Sequence, residues 1–163
     1  MTVLCKLCLS TQLMWAGFSP IIAIALISGL MLNKNISFLL PLISLFISDL
    51  IIEVLNYFNL FPFHGLYNGQ VLNYILLLLI TMFSWFIKKN ILLTSFLAPI
   101  FFFITSNFFV WYSGALNYTF NLNGLMTCYI AGLPFLVNSI AATIIFLHSF
   151  IALSVRQKNI FLV

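Results

Sequence analysis

Charge is the property that this sequence has least of. Six basic and two acidic residues are spread over 163 positions, while 64% of the chain is hydrophobic. Soluble domains typically carry charge on about 25% of their residues. Folding this chain in water would leave large apolar surfaces exposed, so the composition excludes a soluble domain. It favours a single integral membrane domain over residues 1–163, with the lipid bilayer as its solvent.

The features that metals, nucleotides and nucleic acids require are also missing. The three cysteines include a Cys5–Cys8 spacing, but no second pair completes a zinc site. No glycine-rich phosphate loop is present, and no basic run is longer than two residues. No set of nucleophile, base and metal is visible. The sequence therefore predicts a protein that is not an enzyme and that binds no metal, cofactor or nucleic acid.

What the sequence does contain is continuous apolar runs rather than alternating ones. Continuous runs are typical of membrane helices, whereas the strands of an outer-membrane barrel alternate. Clusters of Gly, Pro, Asn, Ser and Lys separate the runs. We therefore predict an all-α membrane protein, a bundle of six transmembrane helices with a short re-entrant or interfacial helix before the last span. The spans are expected at about 3–16, 19–33, 38–58, 70–87, 91–112 and 135–155, and the short helix at 124–133.

The basic residues predict the topology of this bundle. If each break alternates sides, all six lie on one side of the membrane. The positive-inside rule makes that side the cytoplasm, so both termini are expected there. The residues concerned are Lys6, Lys34, Lys88, Lys89, Arg156 and Lys158.

Both acidic residues, Asp49 and Glu53, lie inside the predicted third span, four positions apart on one helical face. A carboxylate at the bilayer centre costs about 2.5–3.5 kcal/mol on insertion scales, which makes the pair a functional-site hypothesis. Two alternatives stay open. Asp49 can instead tie helices together through hydrogen bonds to Ser, Thr or Asn, or the two carboxyls can serve an intramembrane enzyme; the functional hypothesis itself covers ligand binding or a proton-coupled step.

The predicted outer loops and adjoining helix ends form a polar and aromatic mouth, which also includes Tyr67 and Gln70. Neutral hydrogen-bonding groups with aromatic faces suit a small organic ligand. An aromatic belt at the membrane interface, with asparagines favoured by an AT-rich genome, is the competing explanation. The residues predicted to line a binding site are Asp49, Asn107, Trp111, Tyr129 and Asn138, with Glu53 and His64 as outer contributors.

Ala25 and Gly29 form a stripe of small residues four positions apart, which allows another helix to approach closely. The stripe indicates packing, either inside the chain or against a partner.

Several stretches together resemble a bacterial family of uncharacterised integral membrane proteins over most of residues 18–150. That family is in turn similar, in size and helix count, to the substrate-binding S components of energy-coupling factor transporters. The stretches that carry the resemblance are Phe18-Ser19-Pro20, Ala23-Ile24-Ala25-Leu26 with Gly29, Pro41-Leu42, Ser48-Asp49-Leu50, residues 102–108 with Val110-Trp111, Gly124-Leu125, Cys128-Tyr129, and Leu133-Pro134-Phe135 with Asn138.

The resemblance implies a multi-pass protein of the bacterial inner membrane that binds a small, vitamin-like nutrient under its outer loops. It also implies that Ala25 and Gly29 contact a coupling membrane subunit driven by ATPases. The alternative is a structural or assembly protein of the membrane, whose polar residues only hold its helices together.

Overall fold

The computed structural model describes residues 17–67, 69–86, 90–114 and 116–160, with side chains as far as residue 154. Within these ranges the only regular elements are helices, so the predicted all-α class is confirmed. They are α1 (Ile21–Met31), α2 (Lys34–Ser37), α3 (Leu39–Tyr57), α4 (Gln70–Phe86), α5 (Ile91–Tyr112) and α6 (Leu122–Ile160). The predicted first span at 3–16 lies outside the described residues.

The prediction of six spans is wrong for the described part of the chain. Three helical segments are long and apolar enough to cross a membrane: Lys34–Tyr57, Ile91–Tyr112 and Leu122–Ser154. Helix α4 has 17 residues, and α1 has only 11. At 1.5 Å per residue, α1 is about 17 Å long, roughly half the thickness of a bilayer core.

The short helix α1 lies at the centre of the bundle. Ile22, Ala23, Ala25 and Leu26 are buried in one hydrophobic core. The same core contains residues of the four longer helices, namely Leu45, Leu77, Ile80, Ala98 and Leu147. Because protein rather than lipid surrounds α1, a helix of this length needs no bilayer of matching thickness.

The prediction of a separate short re-entrant or interfacial helix at 124–133 is also wrong, because α6 continues through Pro134 to Ile160. A proline inside a helix removes one backbone hydrogen bond and crowds the preceding turn. Here the chain is held on both sides of that point. Gly132 packs closely against Asn107 of α5, and the Ser139 hydroxyl donates to the Gly17 carbonyl at 3.1 Å. These contacts keep the helix continuous.

The non-helical break predicted between the second and third spans, at Asn33–Ser37, is shorter than expected. Helix α2 begins at Lys34, and Phe38 keeps a helical backbone between α2 and α3. The non-helical chain is therefore confined to Leu32 and Asn33.

The loops α3–α4 and α5–α6 meet at one end of the bundle, since Tyr67 of the first and Tyr118 of the second line the same cavity. The chain just before α1 lies deeper in the bundle than these two loops. Gly17 packs against Phe135, thirteen residues into α6 and therefore about 20 Å along that helix. Helix α1 thus starts inside the bundle, below the two end loops.

Candidate functional site

Two adjoining cavities occupy the space between the start of α1 and the end loops. Cavity A, of about 400 Å³, lies between the start of α1, α3, α4 and the α3–α4 loop. Cavity B, of about 440 Å³, lies between α5, α6 and the α5–α6 loop. The residues that line both are Gly17, Tyr67, Asn73, Phe102, Phe135 and Ser139. Volumes of about 300–1,000 Å³ are typical of sites for small organic molecules.

The walls of cavity A combine apolar surface with a few polar groups. Ile22, Leu45 and Ile52 contribute buried aliphatic side chains. The first residues of α1 lie at the cavity, and there the buried Ser19 hydroxyl has no hydrogen-bond partner in the described part of the chain. An apolar enclosure with a few placed polar groups is the usual composition of a ligand site.

Asp49 lies behind the wall of cavity A, not in it. Its side chain is fully buried. The Gln70 amide Nε2 and the Tyr74 hydroxyl both donate to Asp49 Oδ2, the second at 2.9 Å. Burying a carboxylate is costly unless donors surround it, and α4 supplies those donors. Asp49 therefore connects α3 to α4 and fixes the side chain of Gln70, which does line the cavity.

The polar groups continue from Gln70 to the junction of the cavities. Asn73 Nδ2 donates to Gln70 Oε1 at 2.7 Å and to the Tyr67 hydroxyl at 2.8 Å. Sequence reasoning placed Gln70 and Tyr67 at the mouth without a binding role and missed Asn73. The available signal was the spacing of Gln70, Asn73 and Tyr74, which puts three hydrogen-bonding side chains on one face of a helix that begins just after a loop.

The Tyr67 hydroxyl is a neutral group. Tyr67 is 54% exposed as a residue, but partial desolvation of its hydroxyl raises the pKa of Tyr67, and the nearby Asp49 carboxylate raises it further. The hydrogen bond from Asn73 acts in the opposite direction. Since the ordinary pKa of tyrosine is about 10, the raised value keeps this hydroxyl protonated at neutral pH.

Glu53 and His64, the two outer contributors suggested by the sequence, lie together where α3 meets the α3–α4 loop. His64 Nδ1 lies 3.2 Å from Glu53 Oε1. The backbone N–H groups of Gly65 and Leu66 donate to Glu53 Oε2 at 2.9 and 3.1 Å. Glu53 thus fixes the α3–α4 loop, and of these residues His64 and Gly65 line cavity A. The carboxyls of Asp49 and Glu53 have separate partners.

Asn107, which the sequence suggests as a binding residue, lines cavity B. Its Nδ2 donates to the Phe103 carbonyl at 2.9 Å, and its side-chain oxygen faces α6 at Gly132. The Cys128 thiol donates to the Asn107 carbonyl at 3.4 Å. Asn107 is therefore both a cavity residue and a contact between α5 and α6.

The remaining predicted residues are not among those that line either cavity. Trp111 Nε1 donates to the Thr119 carbonyl at 3.0 Å and thereby fixes the α5–α6 loop. The Tyr129 hydroxyl donates to the Ile104 carbonyl at 2.7 Å and joins α6 to α5. Asn138 lies in α6 four residues after Pro134, and it lines neither cavity.

The structure places Ala25 and Gly29 inside the bundle instead of on a partner surface. Ala25 is fully buried. A Cβ atom on Gly29 would overlap the Ser84 hydroxyl and lie 2.5 Å from the Thr81 carbonyl oxygen, so α1 and α4 are in close contact there. The stripe serves internal packing, and a partner could reach it only by displacing α4.

No group of three or more His, Cys, Asp or Glu side chains that could hold a metal ion occurs among the described residues. A protein-family model, described as a family of unknown function, matches residues 1–160. No curated protein matches the chain, and no solved structure does either.

Proposed function

The chain belongs to DUF6580, a family of unknown function, and we propose that it is a membrane protein that binds a small organic nutrient in cavities A and B. The chain matches a family of unknown function, and three of its helical segments could span a membrane, as the sequence predicted for a membrane protein of an uncharacterised family. Binding and uptake are the proposal.

The observation that carries the proposal is the polar network at the junction of the two cavities. Gln70 is held by a buried carboxylate, Gln70 and Asn73 are hydrogen-bonded to each other, and Asn73 and Tyr67 line both cavities. Side chains fixed in this way present hydrogen-bonding groups at little entropic cost to a ligand. A structural role would explain the bonds but not the open space beside them.

A thermal-shift screen of purified protein against water-soluble metabolites tests the proposal. A ligand that binds only the folded state raises the free energy of unfolding and therefore the apparent melting temperature. At a ligand concentration of a hundred times Kd, the gain in free energy is about 2.7 kcal/mol. Ser139 lines both cavities, so Ser139→Phe should fill the junction and abolish the shift. Val137 is 64% exposed and lines neither cavity, so Val137→Phe adds the same ring and should keep it.

The screen can also contradict the proposal. If no metabolite raises the melting temperature of the wild type, or if Ser139→Phe responds like Val137→Phe, the cavities are not a ligand site.

We further propose that uptake is energy-coupled, with a coupling membrane subunit and ATPases as partners. The support is the location of the cavities under loops at one end of the bundle, as the resemblance to S components implies. Because Ala25 and Gly29 are buried, such a partner would bind another surface. Affinity purification from the native membrane in mild detergent tests this. Recovery of a membrane subunit together with a pair of ATPases supports it, and recovery of the chain without them contradicts it.

The cavity end is proposed to face away from the cytoplasm of a bacterial inner membrane, with the Lys34 turn and both termini inside. The support is that Lys34 begins α2 at the end of the bundle opposite the α3–α4 loop, and that α6 runs from the α5–α6 loop towards that same end. A C-terminal green fluorescent protein fusion should fluoresce, and a C-terminal alkaline phosphatase fusion should be inactive. The reverse pattern contradicts this orientation.

A structural or assembly protein is the second candidate function. It is favoured by the hydrogen bonds of Asp49, Glu53, Trp111 and Tyr129, each of which joins two parts of the same chain. The metabolite screen separates the two candidates, since a purely structural protein has no ligand that Ser139→Phe would exclude.

A further inference from the structure

The orientation of every amide in the polar network follows from one buried carboxylate. Asp49 Oδ2 accepts from both the Gln70 amide and the Tyr74 hydroxyl, so Gln70 presents its NH₂ group to Asp49. The Gln70 carbonyl oxygen then faces Asn73, which must present its own NH₂ group in turn. Reversing either amide would place two acceptors against each other.

With the amides oriented in this way, one hydrogen-bond acceptor and one hydrogen-bond donor remain available at the junction of the cavities. Both N–H bonds of Asn73 are occupied, one by Gln70 and one by the Tyr67 oxygen. The Asn73 carbonyl oxygen accepts no hydrogen bond from any residue in the described ranges. The Tyr67 oxygen accepts from Asn73, so its own hydrogen is available to a ligand. The pair therefore offers one acceptor beside one donor, and both residues line both cavities.

The surroundings favour a neutral, flat ligand. No lysine or arginine is among the described residues that line the two cavities. Asp49 is fully buried behind Gln70, and Glu53 already pairs with His64 and accepts from the Gly65 and Leu66 N–H groups. An anion would therefore find no lysine or arginine, and a cation would have to compete for carboxylates that already have partners. Phe102 and Phe135 line both cavities and supply aromatic surface next to the donor–acceptor pair.

We infer that Asn73 and Tyr67 recognise a ligand that carries an N–H group next to a C=O group, as in a lactam or a cyclic amide. The ligand N–H donates to Asn73 Oδ1, and the ligand C=O accepts from the Tyr67 hydroxyl. This inference rests on the proposed function, and it adds the chemical class of the ligand to it.

Three flat probes of nearly equal size test the inference: isoquinolin-1(2H)-one, its N-methyl derivative, and naphthalene. The first has the complete lactam edge, the second lacks the N–H donor, and the third has no polar group. Dissociation constants are measured by isothermal titration on the purified wild type. The lactam should bind about tenfold more tightly than the other two, since a site built around a hydrogen bond rejects an analogue that cannot form it.

Two variants assign the preference to the named residues. Asn73→Leu removes the acceptor and Tyr67→Phe removes the donor. Each should weaken lactam binding to the level of naphthalene and leave naphthalene binding within about twofold of the wild type, because neither substitution removes apolar surface. Retained naphthalene binding also shows that the variant is folded, and the probe series on the wild type tests the inference even if a variant is not.

The outcomes separate the inference from the proposed function. Equal binding of the three probes overturns the lactam inference and leaves the cavities as a ligand site. A lactam preference that survives Tyr67→Phe and Asn73→Leu also overturns it, because other groups would then be responsible. Absence of binding by any probe overturns the inference, and together with an empty metabolite screen it overturns the proposed function as well.

Discussion

Gly65→Ala is expected to release the α3–α4 loop from α3 and so to open cavity A. A Cβ atom on Gly65 would overlap the Asp49 carbonyl oxygen and lie 2.8 Å from its carbon and 3.0 Å from the Glu53 nitrogen. Carbon atoms normally approach no closer than about 3.5 Å, so the loop must retreat by roughly 0.7 Å or more. The helix backbone on the other side of the contact cannot yield.

The retreat should lengthen the hydrogen bonds that the Gly65 and Leu66 N–H groups donate to Glu53. Overpacking of this kind typically costs about 1–3 kcal/mol. For a chain of this size, about 2 kcal/mol corresponds to a melting temperature lower by roughly 4–8 °C. The assay is thermal unfolding in detergent, with ligand or probe affinity measured on the same samples.

Gly69→Ala is the matched control in the same loop. Gly69 has φ +98° and no atom within 4 Å of a new Cβ, so its cost of about 1 kcal/mol comes from the backbone alone. Glu53→Gln should lower the melting temperature in the wild type and in Gly69→Ala, but have little further effect in Gly65→Ala. An unchanged melting temperature for Gly65→Ala, with Glu53→Gln costing the same in every background, would refute the reasoning.

Three further substitutions test the packing of the bundle by thermal unfolding. Gly29→Ala should lower the free energy of unfolding by about 1–3 kcal/mol because its Cβ would overlap the Ser84 hydroxyl. Adding Ser84→Ala should restore part of that stability. A Gly29→Ala variant as stable as the wild type would contradict the close approach of α1 and α4. Trp111→Phe should cost about 1 kcal/mol by removing the bond to the Thr119 carbonyl, and an unaltered unfolding curve would argue against that bond. Tyr129→Phe should cost a similar amount through its lost bond to the α5 backbone, whereas unchanged stability would mean that this bond does not hold α6 to α5.

The helical class was predictable because it depends on composition, whereas the number of spans depends on packing. Continuous apolar runs can form only helices in a bilayer, and α3, α5 and α6 follow from them. Nothing local in the sequence indicates that α1 is enclosed by the other helices. Pro134 is a strong signal for a break, and the contacts of Gly132 and Ser139 that override it are made with distant parts of the chain.

The candidate site was predictable in part for a similar reason. A carboxylate in an apolar run is conspicuous, so Asp49 directed attention to the part of the bundle that contains cavity A. Its donors, Gln70 and Tyr74, are ordinary residues of another helix and are identified only when the helices are packed together. Trp111 and Tyr129 are residue types that are common in ligand sites, yet their polar atoms donate hydrogen bonds to backbone carbonyls within the chain.

Native mass spectrometry of the protein released from its own membranes tests the central claim most directly. The wild type and Val137→Phe should carry a bound small molecule that is absent from Ser139→Phe, because only the ring at residue 139 fills the junction of the two cavities. Identical masses for the bare protein in all three samples, or the same bound molecule in all three, would contradict the assignment of the cavities as a ligand site.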